Sequence, residues 1–113
     1  MIKISYSNAA IRDLERIGDY ISEQLKNPQA ALNTVNKIQG AIDKLADFPF
    51  IGTTLSSIYP IDTDYRFLVC GNNLAFYRMQ ESNVLIDRIL NSRQDYIVIL
   101  LGDLQDNEEA KGD

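Results

Sequence analysis

The chain of 113 residues contains no histidine and a single cysteine, Cys70. Without histidine it lacks the side chain most often used for proton transfer near neutral pH, and also the commonest zinc ligand. One cysteine excludes an intramolecular disulfide and leaves too few thiolates for a sulfur-based metal site. Cys70 reads as a small buried strand residue. No apolar run reaches the ~18 to 20 residues that cross a bilayer. Residues 1–5 open on strand-like alternation rather than on a secretion signal. The expectation is a cytoplasmic protein with no membrane partner, no metal and no other cofactor. Any acid–base chemistry has to come from arginine, tyrosine, lysine or carboxylates.

Positive charge is also in short supply. The formal net charge is −5, which argues against direct binding of nucleic acid, because phosphate contacts are made by lysine and arginine. The distribution weakens that argument, because the acidity is concentrated at the end, where Asp103, Asp106, Glu108, Glu109 and Asp113 stand against Lys111 alone. Residues 103–113 therefore read as an acidic, disordered tail on a single domain of residues 1–102. Between Lys44 and Lys111 the only cations are Arg66, Arg78, Arg88 and Arg93. Arginine alone suits bidentate contacts to phosphate or carboxylate.

What is present is a clear succession of periods. Ile2, Ile4 and Tyr6 alternate with Lys3 and Ser5, the pattern of a short strand with one buried face. Ser7 or Asn8 can cap a helix of roughly five turns, whose stripe is Ile11, Leu14, Ile17, Ile21 and Leu25. Asn27-Pro28 breaks it, with Asn27 placed to cap a second helix and Pro28 at its first position. The second stripe, Ala31, Val35, Ile38, Ile42 and Leu45, ends before Pro49, and the two helices form an antiparallel hairpin. Residues 49–64 lack helical periodicity and read as a loop. Three β-type runs follow, 65–70, 74–80 and 84–90, separated by Gly71-Asn72-Asn73 and Glu81-Ser82-Asn83 as hairpin turns. Residues 93–101 slightly favour a short last helix over a strand. The expected fold is α+β, in the order β-α-α-β-β-β with a possible C-terminal helix. An antiparallel sheet of about four strands carries the helical hairpin on one face and leaves the other partly open; the first strand, placed beside a later one, makes it mixed or antiparallel, a choice the sequence leaves open.

Three phrases in that order resemble the RelE/ParE toxin superfamily over about residues 2–101. The first is Asp19-Tyr20-Ile21, then Ala30-Ala31 and residues 38–45, closing on Phe48-Pro49-Phe50-Ile51-Gly52. The second is Asp64-Tyr65-Arg66-Phe67-Leu68-Val69, similar to a family strand that opens on Tyr-Arg. The third and most specific is Arg88-Ile89-Leu90-Asn91-Ser92-Arg93-Gln94-Asp95-Tyr96. The resemblance implies the toxin of a bacterial type II toxin–antitoxin module. A cognate antitoxin neutralises it, and any DNA contact is made indirectly through the antitoxin complex.

The resemblance leaves two targets open. RelE-like members cut ribosome-bound messenger RNA without a metal, which needs cations around a pentacoordinate phosphate and a proton acceptor near the 2′-oxygen. By that analogy Arg66 holds the phosphate, Arg93 stabilises the developing charge, Tyr96 transfers the proton, and Arg88 is a further candidate. ParE-like members instead inhibit DNA gyrase, by binding. Three departures favour the ParE-like branch: Arg78 follows the middle-strand aromatics instead of preceding them, Asn91 stands where a histidine is frequent, and the three C-terminal strands hold no lysine. A third reading is a module that binds its antitoxin and has lost toxicity. Each candidate also has a bland reading: Arg66 and Arg88 as partners of nearby carboxylates, and Tyr96 as core packing.

Overall fold

The computed structural model describes residues 2–102, and the acidic segment 103–113 lies outside the described residues. Strand β1 (Ile4–Tyr6) leads into helix α1 (Asn8–Asp19), which continues as one π-helical turn, Tyr20–Gln24. Helix α2 (Pro28–Asp43) ends in a 3₁₀ turn, Lys44–Ala46. A two-residue strand β2 (Thr53–Thr54) and a 3₁₀ turn (Leu55–Ser57) precede strands β3 (Arg66–Cys70), β4 (Asn73–Gln80) and β5 (Asn83–Asn91). Residues 96–102 form helix α3.

The caps follow the sequence closely. The Ser7 hydroxyl accepts from the Ala10 N–H at 2.9 Å and starts α1. The Asn27 side chain accepts from the Ala30 N–H at 3.1 Å with Pro28 in the first turn of α2, where its missing donor is harmless. Both hairpin turns are two residues long and have positive φ at their first position, +63° at Gly71 and +60° at Glu81.

The sheet settles what the sequence left open. It has five strands in the order β1-β5-β4-β3-β2 and is mixed, because β1 runs parallel to β5 with Ile4 opposite Val84 and Tyr6 opposite Ile86. The fifth strand is the pair Thr53–Thr54, too short to show a period, which adds to the edge of β3. The parallel pairing is secured as β1 turns into α1: Ser7 N–H donates to the Ile86 carbonyl at 2.9 Å, and its hydroxyl donates to the Asp87 carbonyl at 2.7 Å.

The second face of the sheet is not open. One core lies under the helical hairpin, where Leu14, Ile38, Ile42 and Leu45 meet Ala75, Tyr77, Val84, Ile86 and Ile89. A second core covers the opposite face, where Leu55, Tyr65 and Leu100 close over Leu74, Phe76 and Leu90. Each fully buried aliphatic side chain contributes about 1.5–3 kcal/mol relative to exposure. The residues of β5 divide between the two cores because of a bulge. Phe76 pairs with Arg88 but Tyr77 pairs with Ile86, so Asp87 is an extra residue. Val84, Ile86, Arg88 and Leu90, which an unbroken alternation would put on one face, are therefore split, with Val84 and Ile86 in the first core and Leu90 in the second.

The stripe of the first helix is also shorter than its spacing suggested. Leu14 is buried, but Ile11 is 44% and Leu25 58% exposed. Leu25 follows the π turn, whose wider winding carries the chain off the 3.6-residue stripe.

Candidate functional site

Each of the four candidate residues has a distinct setting. Arg88 is held inside the molecule: its Nε donates to Asp13 Oδ2 at 2.8 Å and its Nη2 to Asp13 Oδ1 at 3.0 Å. Asp13, only 2% exposed on α1, also accepts from the Ile89 N–H at 2.9 Å. A carboxylate buried this deeply requires such a set of donors. Asp13 thereby ties α1 to the strand just beyond the bulge.

Arg66 opens β3 directly opposite Tyr77. Its Nη1 donates to the carbonyls of Phe50 at 3.3 Å and Gly52 at 3.0 Å, and its guanidinium lies 5.1 Å from the centre of the Phe50 ring. Tyr77 completes the same junction. Its hydroxyl accepts from the Gly52 N–H and donates to the Pro49 carbonyl, both at 2.9 Å. Burial pushes the Tyr77 phenol up, an effect opposed by the Gly52 hydrogen bond and by Arg66. The Phe48–Gly52 phrase and the Tyr65-Arg66 phrase are thus two halves of one latch between loop and sheet.

Tyr96 is the first residue of α3, and Arg93 lies in the turn before it, so the two do not share a helix face. The Tyr96 hydroxyl is 2.8 Å from that of Tyr59, and its ring packs on Phe76 with centroids 5.4 Å apart. The hydrogen bond with Tyr59, and then burial, raise its pKa above that of an ordinary phenol, which makes it a poor base at neutral pH. Arg93 is exposed. The Asn91 and Gln94 side chains knit its turn, accepting respectively from the backbone N–H of Arg93 at 2.9 Å and of Asn91 at 2.8 Å.

The turn borders a groove of about 770 Å³ where the helical hairpin and the strand ends splay apart. Ile17, Tyr20, Ile21 and Leu25 supply apolar wall, while Asn72, Asn73, Asn91 and Gln94 supply amides, and Arg16 and Lys37 supply positive charge. Its exposure was hidden in the sequence, because Ile21 and Leu25 look like core there. Tyr20, 58% exposed in the π turn, is the one residue that falls outside the stripe. Among the described residues no cluster of histidine, cysteine or carboxylates could hold a metal, and no helix is long and apolar enough to cross a membrane.

The decisive comparison is with a family model described as the ParE toxin of the type II toxin–antitoxin system parDE, which matches residues 4–96. The chain belongs to the ParE toxin family. This ParE-type chain is similar to a structure of the chromosomal ParDE TA system from P. aeruginosa, with 25% identity and a TM-score of 0.68, covering 80% of this chain and 96% of that one. It also shares its fold with a structure of the E. coli DinJ-YafQ complex, at 13% identity and a TM-score of 0.51, covering 80% of this chain and 93% of that one. No curated protein sequence matches it closely enough to count as a relative. The chain is thus the toxin of a type II toxin–antitoxin system, ParE-like in fold and family.

Proposed function

We propose that this ParE-type toxin arrests growth in the cytoplasm by binding and inhibiting DNA gyrase, and that it does not cleave messenger RNA. The observation that carries this reading is the commitment of the candidate residues to structure. Arg88 is locked bidentate on buried Asp13, Arg66 is spent on loop carbonyls, and the Tyr96 hydroxyl is bonded to Tyr59. Metal-free cleavage needs cations and a proton carrier converging on one phosphate. Here Arg66 and Arg88 are separated by β4, and Tyr96 is a poor base, which leaves Arg93 as the one exposed candidate.

The antitoxin, in the same reading, fills the groove between hairpin and sheet. The apolar wall from Ile17 to Leu25 suits an amphipathic segment, and Arg16 and Lys37 favour one bearing carboxylates. Contact with DNA, in the same reading, runs through the antitoxin.

The test is to add purified wild-type, Arg93→Ala and Tyr96→Phe toxin to translating ribosomes and map the messenger ends. No toxin-dependent cuts are expected from any of them. Cuts by the wild type that vanish in either variant would replace the binding reading with the ribonuclease one.

A further inference from the structure

The loop between α2 and β3 carries three large apolar side chains within four positions, all standing in solvent. Phe48 and Phe50 are each 62% exposed and Ile51 is 51% exposed. This exposure is not slack in the chain. Tyr77, itself fully buried, bonds both Gly52 N–H and the Pro49 carbonyl through its hydroxyl. Arg66 holds the carbonyls of Phe50 and Gly52 and stacks on the Phe50 ring. The Ile51 N–H closes the turn on the Phe48 carbonyl at 3.3 Å. At Gly52 the approach is so tight that a Cβ would stand 2.5 Å from the Tyr77 hydroxyl.

Sheet side chains thus fix a backbone whose effect is to hold apolar groups outward, against the hydrophobic driving force. A rigid aromatic pair beside an arginine is the composition of an interface hot spot, and a contiguous exposed apolar patch marks a binding site. The rim gives the sign of the partner. Asp47, next to Phe48 in the chain, and Asp64 are both exposed, Asp64 lines the same hollow as Phe50 and Arg66, and Lys44 is the one lysine or arginine between Lys37 and Arg66. An acidic rim repels phosphates and suits a protein face ringed by lysine or arginine. The patch is also remote from the groove. Arg66 begins β3, whereas the groove meets β3 at Cys70, roughly 13 Å further along the strand at 3.3 Å per residue.

We propose that Phe48, Phe50 and Ile51, with their acidic rim, form the surface by which the toxin grips its target: a protein face bearing an apolar pocket surrounded by basic residues. This surface is separate from the antitoxin groove. The inference rests on the reading of the toxin as a binder.

Two full-length variants test it, Phe48→Ser/Phe50→Ser and Asp47→Lys/Asp64→Lys, each compared with wild type for growth arrest on induction, affinity for purified gyrase, affinity for the cognate antitoxin, and melting temperature. Both should lose growth arrest, and their gyrase affinity should fall at least about tenfold, as expected for hot-spot residues, with antitoxin affinity and melting temperature unchanged. Arrest retained by either variant overturns the proposal, and so does a wild type that arrests nothing. A parallel loss of antitoxin affinity also overturns it, by making the patch an antitoxin contact. Wild-type messenger cleavage that both variants lose does the same, by making the ligand RNA. If the aromatic variant melts early, the charge variant decides alone. If wild type arrests growth without inhibiting gyrase, yet the variants lose arrest at unchanged antitoxin affinity, the patch stands and the gyrase reading falls.

Discussion

Asp13 and Arg88, 75 residues apart in sequence, meet in a two-bond ion pair that pins the middle of α1 to β5 just past its bulge. Asp13 is 2% exposed and the Arg88 side chain 15%, so solvent screens the pair poorly. Replacing Asp13 by alanine takes the carboxylate away from the Arg88 guanidinium and the Ile89 N–H, and should cost about 3–5 kcal/mol. Replacing both partners, as Asp13→Leu with Arg88→Met, should recover most of that loss. Urea unfolding of the singles and the double checks both figures. A single variant within about 1 kcal/mol of wild type would show that the pair contributes little.

The junction of Gly52 with Tyr77 makes a steric prediction. A Cβ at Gly52 would lie 2.5 Å from the Tyr77 hydroxyl and 2.9 Å from the Phe67 carbonyl, the latter being backbone that cannot easily yield. Gly52→Ala should therefore destabilise by about 1–3 kcal/mol, the range for overpacking a tight site. Tyr77→Phe, which leaves the Gly52 N–H and the Pro49 carbonyl without their partner, should cost a similar 1–3 kcal/mol or so. Combining the two should cost less than the sum, because losing the hydroxyl removes the closest atom of the clash. Strict additivity in thermal unfolding would contradict this.

The two hairpin turns form a natural control for each other. Glu81 at φ +60° and Gly71 at φ +63° occupy the same position in successive turns, yet only one is glycine. Glu81→Gly should stabilise by roughly 0.5–1 kcal/mol, and Gly71→Ala should destabilise by about the same amount, since a Cβ is disfavoured in the left-handed region. Nothing crowds a Cβ at Gly71, so backbone conformation alone is being measured. Opposite signs in denaturant unfolding are expected; a stabilising Gly71→Ala would mean that φ is not what governs these turns.

These turns also show what could be read without a structure. Ser7, Asn27-Pro28, Gly71-Asn72 and Glu81-Ser82 act on neighbours a few residues away, so their residue types announce the elements they begin or join. The partner of Arg88 and the parallel seat of β1 depend on contacts 75 and 80 residues distant, and nothing local encodes them. The second core was missed for a similar reason, since Leu55 and Leu100 lie in segments without strand or long-helix periodicity. At the site, Arg93 looked exposed and is exposed, but neither the bonding of Arg66 to the Phe50 and Gly52 carbonyls nor the meeting of Tyr59 with Tyr96 had any sequence signal.

Alkaline pH should weaken the fold. Tyr6, Tyr77 and Cys70 have pKa values raised chiefly by burial, and Tyr96 chiefly by its hydrogen bond with Tyr59. For each, the unfolded chain ionises first, near 9.0 for the thiol and 10.0 for the phenols, while the folded state still holds its proton. The folded state then binds more protons than the unfolded one, so stability is fully present below these values and falls as pH rises through them. Urea unfolding followed upward from about pH 8 should show a decline that steepens above about pH 9. Tyr77→Phe should make that decline shallower, and a slope identical to wild type would remove Tyr77 from the groups responsible.

The most direct measurement is gyrase supercoiling in the presence of purified toxin. The expected result is inhibition that rises with toxin concentration, survives Arg93→Ala and Tyr96→Phe, and is reversed by the cognate antitoxin. Undiminished supercoiling at toxin concentrations that arrest growth, together with cleavage of messenger RNA on ribosomes, would contradict it.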